Sequence, residues 1–306
     1  MTSVGQIFNR RPAEPQRPEP VQPAFERQDR GDISLWKFLN SEGVEVYFTS
    51  RSGGESRYPY ASLNLGFHVG DDREPVSRNR ALLASVLGVE PSRITSPYQR
   101  HTSQVRAVTD ENAVGSGANS DESRFDPCDG LVTGMRGVPL LLMFADCVPV
   151  VLVGHAGLRT DGDEETGSAN AAEKEPVVAV LHAGRKGLLD GVLQNGVARL
   201  KNDYGISASH ISAAIGPAIG PCCYEVEKEI GLGFEQKFGG GVIKNRKEDR
   251  VFLDLQEAAE SALAGSGVAK ERICILDICT SCNRSFFSYR RDGVTGRHGA
   301  IAWIEE

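Results

Sequence analysis

Two apolar runs, PLLLMFA and VPVVLVG, meet at Asp146, Cys147 and Pro149, and this junction constrains the chain more than any other stretch. Each run has the length and unbroken apolarity of a strand buried on both faces. From Val138 to Val153 the pair is too short, and too polar at its centre, to span a bilayer. A carboxylate and a thiol where one buried strand stops, followed by a proline that prevents simple continuation, are unusual in a core. Cys147 therefore has two readings: a small apolar filler, or a thiolate presented at a pocket as nucleophile or ligand.

A third run, VVAVLHAGRKG, ends in His182. Gly184 and Gly187 permit a tight turn into an amphipathic helix, whose face is marked by Leu188, Leu189, Val192, Leu193, Val197 and Leu200. Free amides at such a turn, beside Arg185 and Lys186, form an anion site; the plainer reading is a strand-to-helix turn with two solvated cations. His101, in PYQRHTSQVRAV, precedes a short strand, and by itself it has no stronger claim than His68, His155, His210 or His298. Two neutral imidazoles and one thiolate suffice for a zinc site with an open fourth position, the arrangement of a catalytic zinc. Spacing alone does not bring His101, Cys147 and His182 together.

The rest of the chain sets the frame. Residues 1–31 are rich in Pro, Arg, Glu and Gln and are expected to lack structure, leaving residues 32–306 as a single catalytic domain. ISLWKFL and VEVYFTS read as strands, and Ser77 to Leu87 as a helix. Strands are also expected at HISAAIG, RVFLDL, RICILDI and GAIAWI, with helices from Glu225 and to Ala264. An acidic insert at about 156–176 reads as a surface loop joining two strands, distant from the chemistry. Mixed strands and helices without a strict βαβ rhythm point to an α+β layered sandwich. The net charge of -7 gives no electrostatic footprint for nucleic acid or an anionic membrane. The odd count of seven cysteines, with no apolar leader at the start, fits reduced thiols and a cytoplasmic location. Cys279 and Cys282 have metal-ligand spacing, but Cys222 and Cys223 have the wrong spacing for a second pair, so these are read as thiols beside a strand end. FFSYRRDGVTGRHGAIAWI, with its aromatics and arginines, is either an ordinary hairpin or a pocket wall.

These motifs taken together resemble one family. FTSRSGGES, SLNLGFHVGDD, NRALL, Q-x-H-x-x-x-V, DGLVT, PLLLMFADCVPVVL, HAGRKG, AAIGPAIGPCCYEV and FFSYRRDGVTGR follow in order from Val46 to Ile304. The resemblance is to the YfiH or laccase-domain family, known both as polyphenol oxidases and as purine nucleoside phosphorylases. It implies zinc ligands at His101, Cys147 and His182. It also implies phosphorolysis of adenosine or inosine to base and ribose 1-phosphate, with adenosine deamination as a second activity. The implied fold is a four-layer α/β/β/α sandwich similar to the cytotoxic necrotizing factor catalytic domain. Three positions depart from the pattern: Arg185 stands where Trp is usual, Thr102 where Gly is frequent, and His298 with Gly299 replace the residues that commonly follow TGR.

On that basis Arg80, Arg185, Lys186 and Arg290 are candidate phosphate holders, and Asp146 is a candidate to orient a metal-binding imidazole. The expected partners are a nucleoside and phosphate, with the protein a monomer or small homo-oligomer. A cysteine hydrolase using Cys147 and His182 is the competing enzyme class. Copper is the weaker metal, because six scattered histidines and three methionines are too few for a multicopper oxidase. A member retaining only a structural metal is the noncatalytic alternative.

Overall fold

A computed structural model describes residues 24–156 and 175–306. The strands are β1 (Phe25–Arg30), β2 (Ile33–Phe38), β3 (Val44–Thr49), β4 (Val105–Ala107), β5 (Gly130–Thr133), β6 (Leu140–Phe144), β7 (Val148–Ala156) and β8 (Glu175–Ala183). They continue as β9 (Ser212–Ile215), β10 (Glu225–Glu227), β11 (Ile243–Arg246), β12 (Arg250–Leu253), β13 (Ile273–Ile275) and β14 (His298–Ile304). The α-helices are α1 (Arg73–Leu87), α2 (Arg185–Asp190), α3 (Val192–Tyr204), α4 (Lys228–Phe238), α5 (Leu255–Gly265) and α6 (Tyr289–Asp292). The architecture is mixed α+β. None of the described helices is long and apolar enough to cross a membrane.

Two large sheets carry the core. One runs β1-β2-β3-β14-β6, the other β13-β9-β7-β8-β5-β4, and a small sheet runs β10-β12-β11. Between the large sheets, Phe48, Leu142, Phe144 and Ala300 pack against Val151, Val153, Val178 and Val180. The uninterrupted apolarity of β6, β7 and β8 follows from this, since a strand with both faces covered has no polar side to alternate. On the outer face of the first sheet, Leu83, Ala84 and Leu87 of α1 meet Tyr47, Leu141 and Trp303. On the outer face of the second, α3 and α5 bury Leu193, Val197, Ala259 and Leu263 over Leu152, Leu181 and Ile215.

Three expectations change. The segment expected to lack structure ends before residue 25, because FERQDR is an edge strand whose six residues all pair antiparallel with β2; residues 1–23 lie outside the described residues. The helical face after Gly187 is divided, since Gly191 at φ +90 closes α2 and leaves α3 to start afresh. Glu225 opens a short strand, and the helix expected there begins at Lys228. The acidic insert lies outside the described residues, but Ala156 and Glu175 at its two ends face each other in the β7–β8 ladder.

Candidate metal centre

The β7–β8 register assembles most of the site. Val148 pairs with Ala183 and Pro149 with His182, so Cys147, one residue before β7, lies at the same end as His182. Strand β5 flanks β8 with Gly130 opposite Leu181, which brings Asp129 beside His182. The chain then needs only one loop to deliver His101, and Asp129 holds that loop. Its Oδ1 accepts the His101 amide at 3.0 Å; its Oδ2 accepts the Arg100 amide at 3.2 Å, the Thr102 amide at 2.6 Å and the Thr102 hydroxyl at 2.9 Å. His101 itself sits at φ +56, a left-handed conformation that a non-glycine residue takes only when its surroundings impose it.

The same carboxylate sets the tautomer of the second imidazole. His182 Nδ1 lies 2.7 Å from Asp129 Oδ1, so Nδ1 carries a proton and Nε2 is the nitrogen that would offer its lone pair to a metal. One ligand atom each from His101, Cys147 and His182 lie within 4.8 Å of one another, with His101 Nε2 3.8 Å from Cys147 Sγ. Ligands on a tetrahedral zinc stand about 3.5 Å apart, so the trio fits that ion with one position left open. Gly184 makes room for it: a Cβ there would stand 2.9 Å from His101 Cδ2 and 3.0 Å from Cys147 Sγ. Its φ of -74 is open to any residue, so the glycine is demanded by space and not by conformation.

The charges are tuned by these neighbours. Burial alone raises a thiol, as at Cys128, which it pushes up to about 12. At Cys147 burial acts the same way, but His182 and His101 outweigh it and bring the thiol down to about 6. Burial disfavours an imidazolium at His182, yet the Cys147 thiolate and Asp129 outweigh it and raise the group to about 10. Without metal the pair is therefore a thiolate beside an imidazolium.

The trio forms one wall of a cleft of about 670 Å³, a size suited to a small-molecule ligand. Arg185, Lys186, Tyr224, Tyr289, Arg290 and Arg297 also line it. Arg290 stacks over the Tyr224 ring at 4.9 Å while one nitrogen donates to the Cys223 and Glu225 carbonyls. Lys186 spends its charge on Asp190 one turn on. A slightly larger cleft, of about 790 Å³, lies elsewhere and is lined by Arg30, Lys37, Tyr47 and Trp303; it contains neither thiol nor imidazole.

Two residues have other roles than expected. Arg80 is buried and stands apart from the cleft: it donates to Leu65 O at 2.9 Å, Gly117 O at 2.6 Å and Ala118 O at 2.9 Å, with Phe67 stacked on it at 4.6 Å. Its Nε and Nη1 join two loops and its Nη2 meets Met143 Sδ at 3.6 Å, so it serves the fold and does not line the cleft of the trio. Asp146, at φ +93, accepts from Thr280 Oγ1 and from the Arg290 amide, both at 2.7 Å. It ties down the opposite wall, and Asp129 is the residue that orients the imidazole. The signal for Asp129 was the same one that singled out Asp146: a carboxylate directly abutting a buried strand. The cysteines also need correction, since the turn at Cys222 and Cys223 folds onto Cys279 and Cys282.

Comparisons with known proteins agree on one relationship. A family model described as multi-copper polyphenol oxidoreductase laccase matches residues 45–159 and 170–305. Cgl2154/cg2365 of Corynebacterium glutamicum, named a purine nucleoside phosphorylase, is 34% identical over 261 residues, spanning 85% of this chain and 94% of its own. YlmD of Geobacillus stearothermophilus, with the same name, is 37% identical over 261 residues, spanning 83% and 88%. The YlmD crystal structure superposes with a TM-score of 0.80 over 93% of this chain and 100% of its own, at 33% identity. RL5, from an unknown prokaryotic organism and named an adenosine deaminase, is 33% identical over 257 residues, spanning 83% and 90%.

Proposed function

Since the chain belongs to the multi-copper polyphenol oxidoreductase laccase family, we propose that it is a zinc-dependent purine nucleoside phosphorylase. It would convert adenosine or inosine and phosphate to free base and ribose 1-phosphate. The observation that carries this reading is the convergence of His101, Cys147 and His182 at a cleft also lined by Arg185, Arg290 and Arg297. The phosphorylase names of the relatives supply the substrate class, and the name of RL5 supports adenosine deamination as a second activity. The packing order of α1, five-stranded sheet, six-stranded sheet and α3 with α5 is in keeping with a four-layer α/β/β/α sandwich.

His101, Cys147 and His182 would hold the zinc, which would supply Lewis acidity toward an oxygen of the phosphate or ribose and, for deamination, toward a water. The protein's own groups do the rest. Asp129 keeps the His182 proton on Nδ1, so that Nε2 stays a donor to the metal. Arg185, exposed at the start of α2, and Arg290 and Arg297, which line the same cleft, would bring cationic forks to a phosphate dianion. Tyr224 and Tyr289 offer ring faces for a purine, which answers the loss of the usual Trp at position 185. All seven cysteines are free, in keeping with a reducing, cytoplasmic setting.

The deciding experiment incubates the purified protein with adenosine or inosine, with and without phosphate, and follows base release by chromatography. Phosphate-dependent release, lost together with zinc in Cys147→Ala, is expected. Phosphate-independent release, or none, defeats the reading. The thiolate–imidazolium pair also favours a second reading, a cysteine hydrolase; a metal-free protein that remains active and is inactivated by alkylation at Cys147 would establish it.

A further inference from the structure

Outside the cleft, two turns far apart in sequence place four cysteines together. Cys222 and Cys223 follow the Gly220–Pro221 corner after β9, while Cys279 and Cys282 lie in the loop after β13. The turns are joined by a parallel bridge between Ala218 and Cys279, with the Ala218 amide bonded to Ile278 O at 3.2 Å and the Thr280 amide to Ala218 O at 2.9 Å. All four sulfurs lie within 4.8 Å of one another. Cys282 Sγ is 3.5 Å from Cys222 Sγ and 3.3 Å from Cys223 Sγ.

Those separations discriminate between chemistries. A disulfide requires about 2.05 Å, and no pair is bonded. Four thiolates on a tetrahedral zinc, with Zn–S near 2.3 Å, stand about 3.8 Å apart, which falls inside the observed spread. The surroundings are adapted to sulfur as well. The Gly220 amide donates to Cys279 Sγ at 3.2 Å, and a Cβ on Gly220 would come within 3.1 Å of Cys279 Cβ and 3.4 Å of Cys222 Sγ.

We propose that Cys222, Cys223, Cys279 and Cys282 form a second metal site, a closed four-thiolate zinc centre with a structural role. Closed coordination by thiolates alone leaves no open position for substrate. Its effect on the cleft is positional. The Arg290 guanidinium donates to Cys223 O, Thr280 Oγ1 donates to Asp146, and Asp146 O receives the Ile219 amide at 2.9 Å. The ion would thus fasten the wall that carries Ile219, Tyr224 and Arg290.

The test uses the full chain and separates the two sites. Cys147→Ala/His182→Ala empties the first site; metal analysis of this variant is expected to find about one zinc per chain. Cobalt exchanged into it should give the intense thiolate-to-metal bands of a tetrahedral four-sulfur site. Adding Cys279→Ser and Cys282→Ser should remove both metal and bands. A measurement on the unmutated protein guards against misfolded variants: Cys222 and Cys282 are solvent-exposed, yet should resist alkylation in the native protein and react once a chelator strips the zinc, as peptide mapping would read. Zinc absent from the double variant, free alkylation of Cys222 and Cys282 without chelator, a disulfide within the cluster, or iron in place of zinc would overturn the proposal. None of these outcomes depends on whether the protein cleaves nucleosides.

Discussion

Replacing Asp129 by Asn removes one oxygen from a buried carboxylate that receives five donors. The amide has two ways to sit, and both are costly. If its NH2 takes the Oδ2 place, it confronts the Arg100 and Thr102 amides and the Thr102 hydroxyl. The hydroxyl can rotate away, but two part-buried amides lose their acceptor, at about 1 kcal/mol or more each. If instead the NH2 takes the Oδ1 place, it confronts the His101 amide and donates to His182 Nδ1, and the His182 proton moves to Nε2, the atom proposed to hold the metal. Either way the variant should unfold about 2 kcal/mol or more sooner in urea, and its zinc affinity should fall roughly 10–100-fold. Burial by itself would raise the Asp129 pKa, but His182 and Thr102 outweigh it and hold the carboxyl below its usual value. The ion's contribution is therefore complete at neutral pH and fades only as pH falls through that depressed value, so the stability gap should close only in acid. Competition against a chromogenic chelator measures the affinity, and urea midpoints at pH 7.5 measure the stability. Zinc affinity within twofold of the parent and an unchanged midpoint would refute the account of Asp129 as the residue that orients the site.

Other residues give sharper single readouts. His298 is fully buried between Phe144 and Phe286 with both ring nitrogens unpartnered among the described residues; burial, then Arg297, pushes it down to about 3. The unfolded chain takes up this proton below about 6.5 and the native protein does not, so stability drops by about 1.4 kcal/mol per pH unit below 6.5. His298→Leu should thus gain about 2 kcal/mol on the parent between pH 8 and pH 5 in urea unfolding; a pH-independent difference would show that the imidazole is solvated. Arg80→Met leaves three buried carbonyls unpaired and should lower stability by about 3–5 kcal/mol without altering the phosphate KM of the folded enzyme. A raised phosphate KM at unchanged stability would return Arg80 to the anion site. Gly184→Ala should reduce zinc affinity at least about tenfold while the urea midpoint moves little, because the added methyl intrudes only on His101 and Cys147.

The sequence disclosed whatever depends on local pattern. Strands β6, β7 and β8 are legible because burial on both faces leaves unbroken apolar runs, and Cys147 and His182 stand out as polar residues at their ends. Strand β1 is not legible, since FERQDR has a single apolar residue and owes its extended form to pairing with β2. Arg80 misleads because an arginine within a shared motif reads as a phosphate holder, whereas here three carbonyls from remote loops draw it inside. Asp129 was overlooked, and the Cys222–Cys223 pair set aside on its spacing, for a common reason: each acquires its chemistry from a neighbour brought by the fold, which spacing along the chain does not encode. The α+β class was recognisable from the element order, while the break at Gly191 required its φ angle.

The β7–β8 ladder has nine paired positions, with Val148 and Ala183 at one end and Ala156 and Glu175 at the other. Eight steps of a strand separate those ends by about 27 Å. Sequence added between Ala156 and Glu175 enters the molecule at that remote rim, and the ladder between is almost wholly apolar and buried. The family match itself skips residues 160–169 and resumes beyond them. This rim is consequently the place where the chain can vary in length, or accept a fluorophore or affinity tag, while the spacing of Cys147, His182 and Asp129 stays fixed by hydrogen bonds that the addition never reaches.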